Sequence, residues 1–373
     1  MIYFLLVLLI IAIIILVIFF LVRSEMLLPK LSSDKENLYD NIDHWFKNLQ
    51  KQGKFNGGVV IVKNDNVEFK NVYGYEDYER KRSLSFDSSF RLASVSKQFT
   101  ATGILILVNK GIINVKDKVK TILPNFPYDQ VSVENLLTHT SGIETDYITF
   151  IKSKRNSLKN GFLTNSELIE LYCKAKTETS IEPGSKYSYN NLNYVILAHI
   201  IEIISKKSLE EFLREELFEP LQMENSQVWN LASPEKTFKN QTDSFNNYLN
   251  SKPHLIKPTW LDGVSGDGAI FSSLNDLIKW HHFWLNDKIL PQSLKERAFN
   301  QFLLNDQTLS SYGYGWVIED GIAWHNGSWL GARTYIEIDR RSKSMILVLD
   351  NSSSFNFDRI VNILKKQFDN EKI

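Results

Sequence analysis

Residues 94–103 read Ser94-Val95-Ser96-Lys97-Gln98-Phe99-Thr100-Ala101-Thr102-Gly103. A serine three residues before a lysine, at the start of a helical run, places both side chains on one helix face. A neutral lysine amine can accept the serine proton, and a helix N-terminus favours the negative charge that develops there. The spacing alone is weak, because S-x-x-K occurs widely by chance and Ser96 as a helix cap is the plain alternative. Two later stretches change its weight. Tyr189-Asn190-Asn191 ends Glu182-Pro-Gly-Ser-Lys-Tyr-Ser-Tyr-Asn-Asn and precedes an apolar helix expected over residues 193–204. His325-Asn326-Gly327-Ser328 follows Trp324 where a strand pair is expected to begin. Singly, the plain readings are a Tyr/Asn turn and a structural histidine at a strand edge.

In this order the three motifs are specific. S-x-x-K with S-D-N and K-T-G marks penicillin-binding proteins and class A β-lactamases. With Y-x-N second and H-x-G third, the set resembles the class C β-lactamase-related serine hydrolases. These include D-alanyl-D-alanine carboxypeptidases, D-aminopeptidases, class C β-lactamases and esterases. Val133-Glu-Asn-Leu-Leu-Thr-His-Thr-Ser-Gly-Ile143, Phe218-Glu-Pro-Leu-Gln-Met223 and Gly266-Asp-Gly-Ala-Ile-Phe-Ser-Ser273 fit the same resemblance, which covers residues 40–365.

The resemblance implies Ser94 as nucleophile, forming an acyl-enzyme, with Lys97 and Tyr189 together as general base. A free tyrosine hydroxyl is a poor base at neutral pH, and a neighbouring ammonium favours its phenolate. Tyr189 would return a proton to the leaving group, and Asn191 would hydrogen-bond Lys97 or the substrate amide. The oxyanion donors would be the backbone N–H groups of Ser94 and Ser328, and Gly327 would let its strand approach the substrate. His325 is the informative departure. Relatives with lysine there carry a fixed cation beside the substrate carboxylate, whereas an ordinary histidine is mostly neutral at pH 7.5. This argues against an efficient β-lactamase and predicts a pH limb in acylation traceable to His325. Arg333 is a candidate replacement cation, its alternative being a solvated strand residue. Of Trp316, Trp324, Trp329, Tyr312 and Tyr314, some are expected in the substrate groove and the others in the core.

Working outward, residues 36–52 carry Leu38, Ile42, Trp45 and Leu49 at helical spacing. Residues 57–73 read as a β-hairpin turning at Asn64-Asp65-Asn66. Strands are expected over 314–319, 332–339 and 344–349, a closing helix over 357–368, and a long loop over 235–260. Strands at both ends with helices between predict an α/β (α+β) fold of the β-lactamase/penicillin-binding-protein type. One antiparallel sheet would carry flanking helices and a helical insertion subdomain. The expected division is a transmembrane anchor over 1–22, a linker over 23–36 and a hydrolase domain over 37–373. Within the domain, 37–115 and 265–373 would form the sheet part and 116–264 the helical part.

The chain has 373 residues, with 43 basic and 43 acidic side chains. This balance argues against nucleic acid as a partner, and the single cysteine, Cys173, excludes an internal disulfide or a Cys-rich zinc site. No charge falls within residues 1–22. As a helix this run is about 30 Å long, enough for a bilayer core. It has neither the basic start nor the small-residue cleavage site of a signal peptide. It therefore reads as a transmembrane helix, making the protein single-pass. Arg23 and Lys30 lean faintly toward a cytoplasmic domain, but cell-wall-type substrates place it outside.

No G-x-S-x-G, Walker A or H-E-x-x-H motif is present. His281-His282 are adjacent and would point to different sides of a helix, so no metal or other cofactor is expected. The glycosylation sequon is matched at Asn240, Asn326 and Asn351; Asn326 sits inside the proposed site, so chance is the better explanation there. The partner expected, besides the membrane, is a small-molecule or peptide substrate. The readings for function are a D,D-carboxypeptidase-like or penicillin-binding-protein-like hydrolase first. A β-lactamase-family esterase and a non-catalytic peptide or β-lactam sensor are the alternatives.

Overall fold

The computed structural model describes residues 26–369 apart from 33, 35, 176, 178, 247–251 and 287, together with residue 11. The membrane anchor expected over 1–22 therefore lies, but for Ile11, outside the described residues. Among the described residues no helix is long and apolar enough to cross a membrane.

Helix α1 (Leu38–Lys51) buries Leu38, Ile42, Trp45, Phe46 and Leu49, the face that the helical spacing predicts. Strands β1 (Gly57–Lys63) and β2 (Asn66–Tyr73) form the hairpin. Asn64 and Asp65 both take positive φ, 49° and 68°, as the turn that matches strand twist requires. The short β3 (Phe90–Arg91) leads through a 3₁₀ turn, Ala93–Val95, into helix α2 (Ser96–Asn109). Helices α3 (Asn165–Ala175) and α4 (Asn191–Ser205) follow, then β4 (Gln227–Val228). Residues 235–260 are mostly loop as expected, but hold a two-residue strand pair, β5 (Phe245–Asn246) and β6 (His254–Leu255). Strand β7 (Ile270–Ser272) and helix α5 (Leu274–Asn286) return the chain to β8 (Val317–Glu319), β9 (Ile322–Trp329), β10 (Ala332–Asp339) and β11 (Ser344–Asp350). Helix α6 (Phe357–Asp369) closes the fold.

The main sheet is antiparallel, in the order β2-β1-β11-β10-β9-β8. Because β1 pairs with β11, the two ends of the domain meet at the sheet centre. Alternation along β1 divides its apolar side chains between two cores. Val59 and Ile61 face α1 and α6, while Val60 and Val62 face the larger core containing α2 and α4. Helix α2 is apolar around most of its circumference and is buried from Ser96 to Leu107, as expected of a helix enclosed on all sides.

Three expectations change. The single sheet expected is accompanied by two small antiparallel ones, β3-β7-β4 and β5-β6. The strand expected from Tyr314 begins only at Val317, because Tyr314 and Trp316 are instead taken into the core. Residues 26–31, expected as part of a polar linker, are docked. Leu31 is buried, Trp45 Nε1 donates to the Pro29 carbonyl at 2.7 Å, and Lys54 Nζ donates to the Leu27 carbonyl at 2.5 Å.

Candidate active site

Ser94 sits in the 3₁₀ turn that enters α2, and Lys97 lies one turn further on. Ala93, just before the serine, is held at a φ of 48°, a left-handed conformation that a residue with a side chain rarely adopts and that costs free energy. Lys97 is fully buried; its Nζ donates to Ser94 Oγ at 3.1 Å and to the Asp267 carbonyl at 2.9 Å. The Tyr189 hydroxyl lies 3.0 Å from the same Ser94 Oγ, and Lys97 Nζ is 5.0 Å from the Tyr189 ring centroid. Residues 95 positions apart in the chain thus converge on one oxygen.

Tyr189 is positioned from below. Ser188 N donates to the His139 carbonyl at 2.8 Å, and Asn190 N donates to His139 Nδ1 at 3.2 Å. The His139 ring packs 4.5 Å from the Tyr189 ring. Asn190 also caps α4 by accepting from Leu192 N, which fixes where Tyr189 leaves the helix. Burial and the nearby Lys97 ammonium keep His139 well below the ordinary histidine pKa.

Asn191 does not reach Lys97; that lysine's second partner is the Asp267 carbonyl. Its Oδ1 is buried without a partner, and Asn191 lines the cavity beside Ser94. This leaves the substrate as its expected partner. The cavity is about 50 Å³, and Ser94, Asn191, Asp267, Ser328 and Trp329 lie in its wall. Asp267 is half-buried; desolvation of its carboxyl raises its pKa despite Lys97, and the carboxylate accepts from the Tyr147 hydroxyl at 3.2 Å.

His325 stands apart from this wall. It is buried, its Nδ1 lies 2.6 Å from the Asn326 carbonyl, and its Nε2 lies 2.9 Å from the Tyr312 hydroxyl. A carbonyl only accepts, so Nδ1 carries the proton and Nε2 accepts from Tyr312. Burial first, then the Lys97 charge, push its pKa down to about 3. The pH limb expected from His325 near neutrality is therefore corrected: the ring stays neutral across that range.

Gly327 is also corrected. A Cβ there would lie 2.3 Å from Thr334 Oγ1, 2.5 Å from the Leu92 carbonyl and 3.0 Å from Ala93 Cβ. The missing side chain admits the turn that carries Ser94, not the substrate. Of the five aromatics, only Trp329 lines the cavity; Trp316, Tyr312 and Tyr314 are core, and Trp324 packs on the other side of the sheet. Arg333 lies opposite Ser328 in the β9–β10 register, outside the cavity wall.

His139 and Asp267 lie in stretches that fit the family pattern, but nothing local in the sequence marks their roles. The first acts through its ring behind Tyr189, the second through a backbone carbonyl. His281 is buried and His282 Nδ1 lies 2.9 Å from Asp65 Oδ1. Among the described residues, no group of three or more His, Cys, Asp or Glu side chains is arranged to hold a metal ion.

A serine in the turn entering a helix and a lysine on that helix, joined by a tyrosine just before a second helix and beside strand β9, define a serine hydrolase of the penicillin-recognising type. The chain belongs to the Beta-lactamase family, whose model matches residues 42–367, and it is a serine hydrolase. It is 30% identical over 342 residues to "Penicillin-binding protein 4*" of Bacillus subtilis (strain 168), covering 88% of this chain and 75% of that one. It is 26% identical over 357 residues to "Protein flp" of Staphylococcus aureus (strain MW2), covering 92% and 68%. The fold matches the octameric penicillin-binding protein homologue from Pyrococcus abyssi with a TM-score of 0.72 at 24% identity, over 86% of this chain and 75% of that one. It matches FmtA from Staphylococcus aureus with a TM-score of 0.71 at 23% identity, over 94% and 95%.

Proposed function

We propose that this protein hydrolyses an amide or ester through an acyl-enzyme on Ser94, with D-amino-acid peptides as the leading substrate class. The observation that carries this reading is the convergence of Lys97 Nζ and the Tyr189 hydroxyl on Ser94 Oγ, at 3.1 and 3.0 Å. Ser94 Oγ attacks the carbonyl carbon while its proton passes to the Lys97–Tyr189 pair. Tyr189, 41% exposed, then passes a proton to the leaving group. The backbone N–H groups of Ser94 and Ser328 hold the oxyanion, and water completes turnover. Names of relatives that are penicillin-binding proteins support the peptide class.

Residues 1–22 are proposed as a membrane anchor for a domain over 37–373, with the domain on the extracytoplasmic side, where cell-wall-type substrates lie. An esterase is the second reading. It is favoured by the buried neutral His325, which offers no cation at the third motif for a substrate carboxylate.

A fluorescent penicillin and a fluorophosphonate should each label the protein covalently, and Ser94→Ala should abolish both signals. Persistent labelling in that variant would sink the nucleophile assignment. Labelling of the wild type without turnover of D-Ala-D-Ala peptides, p-nitrophenyl esters or nitrocefin would favour a sensor.

A further inference from the structure

The wall of the Ser94 cavity contains a cation outside the three motifs. Arg91, on β3 and three residues before Ser94, is 5% exposed and lines the cavity. Its nearest acid is Asp262, with Nη1 3.8 Å from Oδ1, beyond hydrogen-bond range. The Asp262 oxygens are already engaged. Trp329 Nε1 donates to Oδ1 at 2.7 Å, and Thr259 donates to Oδ2 from its N at 2.7 Å and its Oγ1 at 2.9 Å. Among the described residues the Arg91 guanidinium thus has an ion pair but no hydrogen bond. It carries five fixed N–H donors, and these are open to the cavities that Arg91 lines instead of being sealed in the core.

Phe271 and Trp229 hold the guanidinium, with ring centroids 4.7 and 6.0 Å away. Both rings, and Arg91 itself, also line a second cavity of about 500 Å³. Phe162, Leu255, Ile256 and Leu330 supply further apolar wall. Among the described residues the other charged groups in that wall balance, Lys236 and Lys257 against Glu235 and Asp243, which leaves Arg91 as the cation that this cavity shares with the Ser94 side. On the Ser94 side it faces the carboxylates of Asp262 and Asp267. Neither His325 nor Arg333 lines either cavity.

We propose that the second cavity is a substrate subsite for an apolar group bearing a carboxylate, which Arg91 grips where the two cavities meet. The planar fork suits a carboxylate bidentately. The assignment rests on Ser94 being the nucleophile, so that the substrate carbonyl lies in the adjoining cavity.

The test compares mono-p-nitrophenyl glutarate with p-nitrophenyl butyrate on the full chain. In Arg91→Gln the ratio of kcat/KM for the glutarate over the butyrate should fall at least tenfold, and Arg91→Lys should recover part of it. An unchanged ratio overturns the proposal. Ile256→Trp, which fills the second cavity, should raise KM for butyryl over acetyl esters; equal KM changes overturn the subsite. Should Arg91→Gln not fold, the wild type decides. Glutaric acid monoanilide should raise its Tm more than the corresponding terminal amide does, and equal shifts overturn the carboxylate site. Fluorophosphonate labelling separates the two readings. A wild type that is never labelled refutes the nucleophile, whereas normal labelling with an unchanged ester ratio refutes only the subsite.

Discussion

At the residue scale, the histidine of the third motif acts through what it lacks, a charge. His325 accepts from Tyr312, donates to the Asn326 carbonyl and lies behind Tyr189, with ring centroids 6.2 Å apart. Its pKa is about 3 in the folded chain against about 6.5 unfolded. The unfolded chain therefore binds the extra proton first, and the stabilisation from this group is complete above pH 6.5 and lost as pH falls toward 3. His139 and His281 are shifted in the same direction, whereas burial raises Asp350 to about 6 and so opposes them. The difference between wild type and one variant isolates His325. In His325→Gln, whose amide can serve both partners, the fall in Tm between pH 6.5 and 4 should be shallower. Parallel Tm profiles would remove the assigned shift. The three motifs were legible because their residue types carry chemistry at fixed spacing. Asp267 was not, since a backbone carbonyl leaves no residue signature.

At the element scale, the site depends on how closely β9 and the turn before α2 approach each other. The left-handed Ala93 and the bare Gly327 face each other across that contact, 3.0 Å from a Cβ placed on the glycine. Gly327→Ala meets backbone at Leu92 and a Thr334 side chain hydrogen-bonded to that same carbonyl at 2.8 Å. The expected cost is about 1–3 kcal/mol, read as a lower urea midpoint, together with acylation slowed by displacement of Ser94. Normal stability with normal labelling would show that the contact yields freely. Helical spacing disclosed α1, and alternation with an Asn-Asp turn disclosed the hairpin. The start of β8 was misjudged because aromatic β-formers at Tyr314 and Trp316 are core residues of an irregular segment. Periodicity cannot tell these cases apart when every side chain is buried.

At the scale of the molecule, the sheet separates two cores, one under α1 and α6 and one holding α2 and α4. Residues 26–31 belong to the first. Beyond Leu31, Arg359 donates to the Met26 carbonyl, linking this segment to α6. A chain beginning at residue 37 should lose a few degrees of Tm relative to one beginning at 26, since burying one leucine contributes about 1.5–3 kcal/mol. Equal Tm values would show that the segment rests on the domain without supporting it. Composition marked residues 23–36 as polar and so as linker. The docking was hidden because it depends on a few carbonyls and one leucine.

That docking bears on reach. With residues 1–22 in a bilayer, residues 23–25 alone lie between the proposed anchor and the docked segment, a span of about 10 Å when extended. The hydrolase would then be moored, not tethered. Helices α2 and α4, at whose starts Ser94 and Tyr189 lie, are separated from the mooring by the sheet, so the height of the site would be set by the thickness of the domain. A substrate would have to be presented at that fixed depth, which selects for polymers or peptides standing off the lipid surface over molecules lying within it.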